Sequence, residues 1–164
     1  MYDFQPIATS SQDELYQQLC DAAVALTAGE PDPVANMANL AALIWDFVPN
    51  LNWAGFYRMQ SNAQNGELVL GPFIGRPACI RIPLGMGVCG TAALKGVTIL
   101  VDDVESFPGH ISCDAKSRSE LVVPIKRGGS VVSVIDLDSP EPNRFKDSDA
   151  KGIEKLASLI NERI

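Results

Sequence analysis

A chain of 164 residues with a net charge of −7, 46% hydrophobic and 20% charged, has the composition of one globular domain, residues 1–164, burying about two thirds of its extended surface. That excludes a disulfide-stapled miniprotein and an unstructured chain, and the negative charge argues against a nucleic-acid partner. The longest apolar run, 40–45, falls far short of the ~18 residues of a membrane span, and no basic-then-apolar opening marks a secretory signal.

In chain order, Ser11-Gln12-Asp13-Glu14 reads as a capping box. Leu15, Leu19, Ala22, Ala23 and Leu26 follow at helical spacing until Gly29. Asp32-Pro33 opens a second helix, with Met37, Leu40, Ala41, Ile44 and Val48 on its apolar stripe and Pro49 as its stop. Asp3, Asp13, Glu14, Asp21, Glu30, Asp32 and Asp46 precede Arg58 with no Lys or Arg among them. They read as the solvated face of these helices, and the remainder of the chain sums to zero charge.

Residues 52–58 read as a strand, Asn65-Gly66 as a hairpin signal and 67–73 as the partner strand. A third strand covers 79–82, and 85–94 forms a short helix after a glycine-rich turn. Residues 98–101 are a further strand, and 105–119 are irregular or briefly helical. Residues 120–126 and 130–138 form two strands about Arg127-Gly128-Gly129, and a helix over 147–164 closes the chain. The crossovers are mostly too short for parallel βαβ units. The expected class is α+β, an antiparallel sheet of about six strands with helices packed on it.

Gly85-Met86-Gly87-Val88-Cys89-Gly90 matches G-x-G-x-x-G, but the helix after it stops at Gly96, too short for a dinucleotide crossover. The turn instead puts Cys89 in a first helical turn, where free N–H groups favour a thiolate. Cys113 lies in the polar, turn-rich segment 107–114, an unusual setting for a free cysteine. His110 is either its partner or a solvated loop residue. Cys79 reads as a strand residue in the core, and Cys20 as helix core. No C-x-x-C pair or further ligand pattern points to a metal.

On the last hairpin, Val132, Val134, Asp136 and Asp138 alternate onto one face. A three-residue loop pairs Glu120 with Asp136 and puts all three acids on that face. A two-residue Gly-Gly turn without a bulge puts Glu120 on the other. Trp53 and Tyr57 share a face of the first strand, as core or as a wall for a small ligand.

Residues 52–58, Gly71-Pro72-Phe73, 77–82, 87–92, 107–114, 119–124 and 135–140 together resemble the free methionine-R-sulfoxide reductases, a catalytic branch of the GAF-domain fold. The triple of Cys79, Cys89 and Cys113 in these contexts is not general among ligand-binding GAF modules. The resemblance implies that Cys113 is the nucleophile, Cys79 the main resolving thiol and Cys89 an alternative one. It further implies that Glu120, Asp136 and Asp138 hold and polarise the substrate while Trp53 and Tyr57 shape its methyl pocket. Free methionine-R-sulfoxide would be the substrate, a sulfenic acid and a disulfide the intermediates, and thioredoxin the reductant. No cofactor or metal is implied. A cytoplasmic homodimer that repairs oxidative damage is expected. A non-catalytic regulatory GAF module and a thiol redox sensor are the competing classes.

Overall fold

The structure is a computed structural model that describes residues 4–9, 11–60, 66–109 and 114–164. Both leading helices begin where their caps predict. Ser11 accepts a hydrogen bond from the Glu14 amide at the start of α1 (Gln12–Leu26). Asp32 accepts from the Val34 and Ala35 amides, both at 2.8 Å, at the start of α2 (Pro33–Phe47). Asp13, Glu14, Asp21, Glu30, Asp32 and Asp46 are all exposed.

The strands are β1 (Trp53–Gln60), β2 (Glu67–Gly75), β3 (Arg81–Pro83), β4 (Ile99–Val101), β5 (Ser119–Arg127) and β6 (Ser130–Ser139). They form one six-stranded sheet in the order β3-β2-β1-β6-β5-β4, with every neighbouring pair antiparallel. The sheet's two edges are its two three-residue strands, β3 and β4. Asn65, half of the hairpin signal between β1 and β2, lies outside the described residues, but Gln60 does pair with Glu67. A single turn of 3-10 helix, Val104–Ser106, interrupts the irregular stretch before β5.

Period-two alternation divides the sheet into two faces. Ala54 and Phe56 of β1, Leu121, Val123 and Ile125 of β5, and Ile135 and Leu137 of β6 join α1, α2 and the closing helix α4 (Asp147–Ile160) in one buried cluster. Trp53, Tyr57, Val122 and Val134 point the other way, into a second cluster with the short helix α3 (Gly87–Lys95) and Ile82 of β3. The functional candidates belong to this second face.

On the first face, α4 is pinned to α1. The fully buried Asp149 accepts from the Tyr16 hydroxyl at 2.6 Å, the Gln12 amide at 2.7 Å and the Lys146 backbone at 2.7 Å, and pairs with Arg144 at 3.3 Å. Those donors satisfy a charge that would otherwise be costly to bury. Burial and the Asp149 charge in turn push the Tyr16 hydroxyl's pKa up. The closing helix ends at Ile160 instead of running on to residue 164. The last residues turn back, and Arg163 donates to the Val24 carbonyl and the Thr27 hydroxyl.

Two further expectations are corrected. Cys79 is not on a strand: regular β2–β3 pairing stops at Val69 with Arg81, and only the Leu70 amide reaches on to the Ile80 carbonyl, at 2.9 Å. Val132 does not share a face with Val134. It packs on the helix side, and Val131 replaces it on the other.

Candidate active site

The position of Val132 explains how the carboxylates meet. The hairpin turn is the two-residue Gly128-Gly129, with Arg127 opposite Ser130 and both glycines at positive φ. Continued without interruption, that register would place Glu120 opposite Leu137 and its side chain among the helices. The register instead shifts between Ile125 and Lys126, where Val132 is the extra residue. Beyond this bulge Glu120 pairs with Asp138, and Val122 with Asp136. All three acids therefore face the second cluster, the outcome that required an odd loop or a bulge. The expected partner of Glu120 is corrected from Asp136 to Asp138.

These acids form the sheet-side wall of a cavity. Val88 and Cys89 of α3 close it from above, and Asp114 and Ser117 close it from the segment before β5. Glu120 is 5% exposed and Asp136 6%, while Asp138 is half-buried. Burial, reinforced by the Asp138 charge, pushes the pKa of Glu120 well up. Burial and Glu120 do the same to Asp136, and burial and Asp136 to Asp138. Buried together and raising one another's pKa values, the three acids hold protons to higher pH than isolated carboxyls do.

Cys89 lies in the first turn of α3, but the thiolate expected there is not favoured. The side chain is 4% exposed, and its Sγ is 4.0 Å from Glu120 Oε1. Burial first, then the charges of Asp136 and Glu120, push its pKa well up. Four partial charges at a helix end do not offset that loss of solvation beside full anions. The glycine turn brings α3 close to β3: a Cβ on Gly90 would sit 2.4 Å from the Pro83 carbonyl oxygen.

Trp53 and Tyr57 are buried one strand away on the same face. Trp53 pairs with Asp138 and Tyr57 with Val134, while Gly55 between them pairs with Asp136. Their rings stack at 5.8 Å, and Trp53 stacks on Phe73 at 5.2 Å. Their polar ends have a second use. Trp53 Nε1 donates to the Arg76 carbonyl at 3.1 Å, and the Tyr57 hydroxyl to the Cys79 carbonyl at 3.0 Å. The half-buried Cys79 is thus carried on a segment tied to the aromatic wall by its backbone.

Cys113 and His110 lie outside the described residues. Asp114, next in the chain, accepts from the Lys116 amide at 3.0 Å, which holds its carboxyl below the usual range and leaves it an anion. Asn52 donates to both Asp114 and Ser117, at 3.2 and 3.0 Å, while its own amide donates to the Asp138 carbonyl at 3.0 Å. Asn52, Asp114 and Ser117 were missed as site residues. Adjacency to Cys113 was the available signal for Asp114; the contacts to Asn52 span more than sixty residues and left no local pattern. A cation could be held by Cys89, Glu120 and Asp136, which offer ligand atoms within 4.8 Å of one another.

The arrangement can hold a proton next to a bound molecule, anchor an ammonium group on the remaining anion and place thiols nearby. Residues 34–163 match the GAF domain family. The free methionine-R-sulfoxide reductase of Escherichia coli (strain K12) is 41% identical over 152 residues, 93% of this chain and 90% of that one. Protein YtsP of Bacillus subtilis (strain 168) is 46% identical, over 95% and 94% of the two chains. The X-ray structure of the free methionine-R-sulfoxide reductase from Neisseria meningitidis in complex with its substrate superposes with a TM-score of 0.92. It is 39% identical, covering 99% of this chain and 95% of that one.

Proposed function

The chain belongs to the GAF-domain family, with free methionine-R-sulfoxide reductases among its relatives, and from that premise we propose that it reduces free methionine-R-sulfoxide to methionine. The observation that carries the proposal is the meeting of Glu120, Asp136 and Asp138 in one buried cavity beside Cys89. A binding module for an anionic regulator would not gather three acids there. A small zwitterion whose oxygen must be protonated uses them all.

In this reading Cys113 is the nucleophile. Its thiolate attacks the sulfoxide sulfur, and the oxygen transfers to the cysteine with a proton from Glu120, whose raised pKa keeps it an acid. The products are methionine and a Cys113 sulfenic acid. Asp138 shares the proton with Glu120, its partner across the strands, and Asp136 anchors the ammonium by charge-assisted hydrogen bonds. Trp53 and Tyr57 shape the methyl pocket, and their polar ends tie down the Cys79 segment. The Cys79 thiol then condenses with the sulfenic acid, releasing water and forming a disulfide, with Cys89 as the alternative resolving thiol. Burial and its acid neighbours keep Cys89 a thiol, which favours Cys79. An external dithiol, thioredoxin, restores both cysteines by exchange.

Residues 1–164 act as one domain in this scheme, in a homodimer and in a reducing compartment such as the cytoplasm. Among the described residues no helix is long and apolar enough to cross a membrane. The test is racemic free methionine sulfoxide with thioredoxin, its reductase and NADPH. Consumption that stops near half the substrate supports a stereospecific reductase. No consumption sinks the reading in favour of a regulatory module or sensor.

A further inference from the structure

At the inner end of the cavity, Cys89 comes down from α3 onto Glu120 and Asp136 on adjacent strands. Sγ and one carboxylate oxygen from each acid lie within 4.8 Å of one another, and all three residues are buried. The proposed reaction uses the acids but assigns Cys89 only a reserve role. A second observation concerns Asp136. Its Oδ1 is buried and accepts no hydrogen bond among the described residues, and the residue is only 6% exposed. A carboxylate oxygen in that state is costly to fold, and a ligand that donates to it or coordinates it removes the cost.

The geometry points to a binding site for a divalent cation of the zinc class, held by Cys89 Sγ and one oxygen each from Glu120 and Asp136. Bond lengths of about 2.3 Å to sulfur and 2.1 Å to oxygen in a tetrahedron put the sulfur about 3.6 Å from each oxygen. The Cys89 to Glu120 separation of 4.0 Å reaches that value by small side-chain rotations. One thiolate with two carboxylates suits zinc or cobalt and disfavours magnesium and calcium, which take oxygen ligands. Three protein ligands leave a fourth position for water. On binding, the protons of Cys89 and of the Glu120 carboxyl leave to solvent.

The site has a consequence for catalysis that rests on the proposed reaction. The cation occupies the two carboxylates assigned to the acid and to the ammonium anchor, so metal and substrate compete, and zinc becomes a reversible brake relieved by chelation.

Cobalt titration of the fully reduced protein tests the site directly. One equivalent should bind with visible bands of tetrahedral intensity and a thiolate-to-cobalt charge-transfer band. A Cys79→Ser, Cys113→Ser double variant should keep both. The isosteric Cys89→Ser should lose the charge-transfer band and bind more than about 100-fold more weakly, since even outer-shell changes cost metal sites 10–100-fold. Glu120→Gln should weaken binding and leave the charge-transfer band in place. An unchanged band in Cys89→Ser, or no binding by the parent protein, overturns the site and leaves the proposed reaction untouched. Adding free methionine sulfoxide should displace the cobalt. A cobalt spectrum that depends on Cys89 but is indifferent to saturating substrate keeps the metal site and overturns the substrate position.

Discussion

The Tyr57 hydroxyl donates a 3.0 Å hydrogen bond to the backbone carbonyl of Cys79, so a buried residue of a central strand sets where the Cys79 main chain lies. The bond runs from a residue 1% exposed to a segment outside any strand. Tyr57→Phe keeps the ring and its stacking on Trp53 and removes one of the segment's ties to the sheet. A lost hydrogen bond of this kind is worth about 0.5–1.5 kcal/mol, which corresponds to roughly a twofold to tenfold slower disulfide closure. Quenched-flow trapping of sulfenic acid should show it persisting longer, with release of the first methionine unaffected.

Cys113→Ser should remain folded and produce no methionine. Cys79→Ser should release one methionine per enzyme and then stop, because the sulfenic acid has no partner. Mass spectrometry of the stalled protein should find the added oxygen. Full multiple turnover of Cys79→Ser with thioredoxin would transfer the resolving role to Cys89.

The carboxylate cluster gives a pH dependence of stability with a definite sign. Glu120, Asp136 and Asp138 all have raised pKa values in the folded chain, against about 4 when unfolded. Between those limits the folded state binds more protons than the unfolded one. Stability is therefore greatest near pH 4 on this account and falls as pH rises through the folded values. Asp138→Asn and Glu120→Gln should flatten that fall and raise Tm at pH 8, by about 2–4 °C for each kcal/mol recovered. Activity should drop by about 10²–10⁴-fold in Glu120→Gln if it is the proton donor. Thermal denaturation across pH 5–9 (roughly the range where ordinary carboxylates are already ionised) reads the first effect, and the NADPH-coupled assay the second.

Gly152 on α4 lies against the Tyr16 ring, where an added Cβ would be 2.2 Å from Cγ. Helix propensity favours Ala over Gly by about 1 kcal/mol. Overpacking opposes it at about 1–3 kcal/mol, and Tyr16 cannot move aside because its hydroxyl is bonded to Asp149. Gly152→Ala should therefore lower Tm, measured by calorimetry, with the coupled assay at 25 °C unchanged.

Local signals were enough for most of the fold. The caps at Ser11 and Asp32, the glycine turn before α3 and the alternation along β5 and β6 each act within a few residues, and each element formed where they predicted. The site was legible in its residue types and only partly in its geometry. Whether Glu120 joins Asp136 depends on a bulge at Val132, a register choice with no composition signal of its own. The thiolate expected at Cys89 failed for a related reason. The helix end is local and visible in the chain, whereas the acids that overrule it come from strands more than thirty residues away. Asn52 and Ser117 owe their places to contacts of the same long-range kind.

The sheet's outermost strands make the final point. The acids sit on β5 and β6, each flanked by a neighbour on both sides. Cys79 lies just before β3, which is held to the sheet by three residue pairs along one margin. Motion and rigidity are thereby assigned to different parts of one sheet. The segment carrying Cys79 has fewer strand partners to hold it than the interior strands that keep the acids in register. Hydrogen exchange should find faster amides along 76–83 than along β5 and β6.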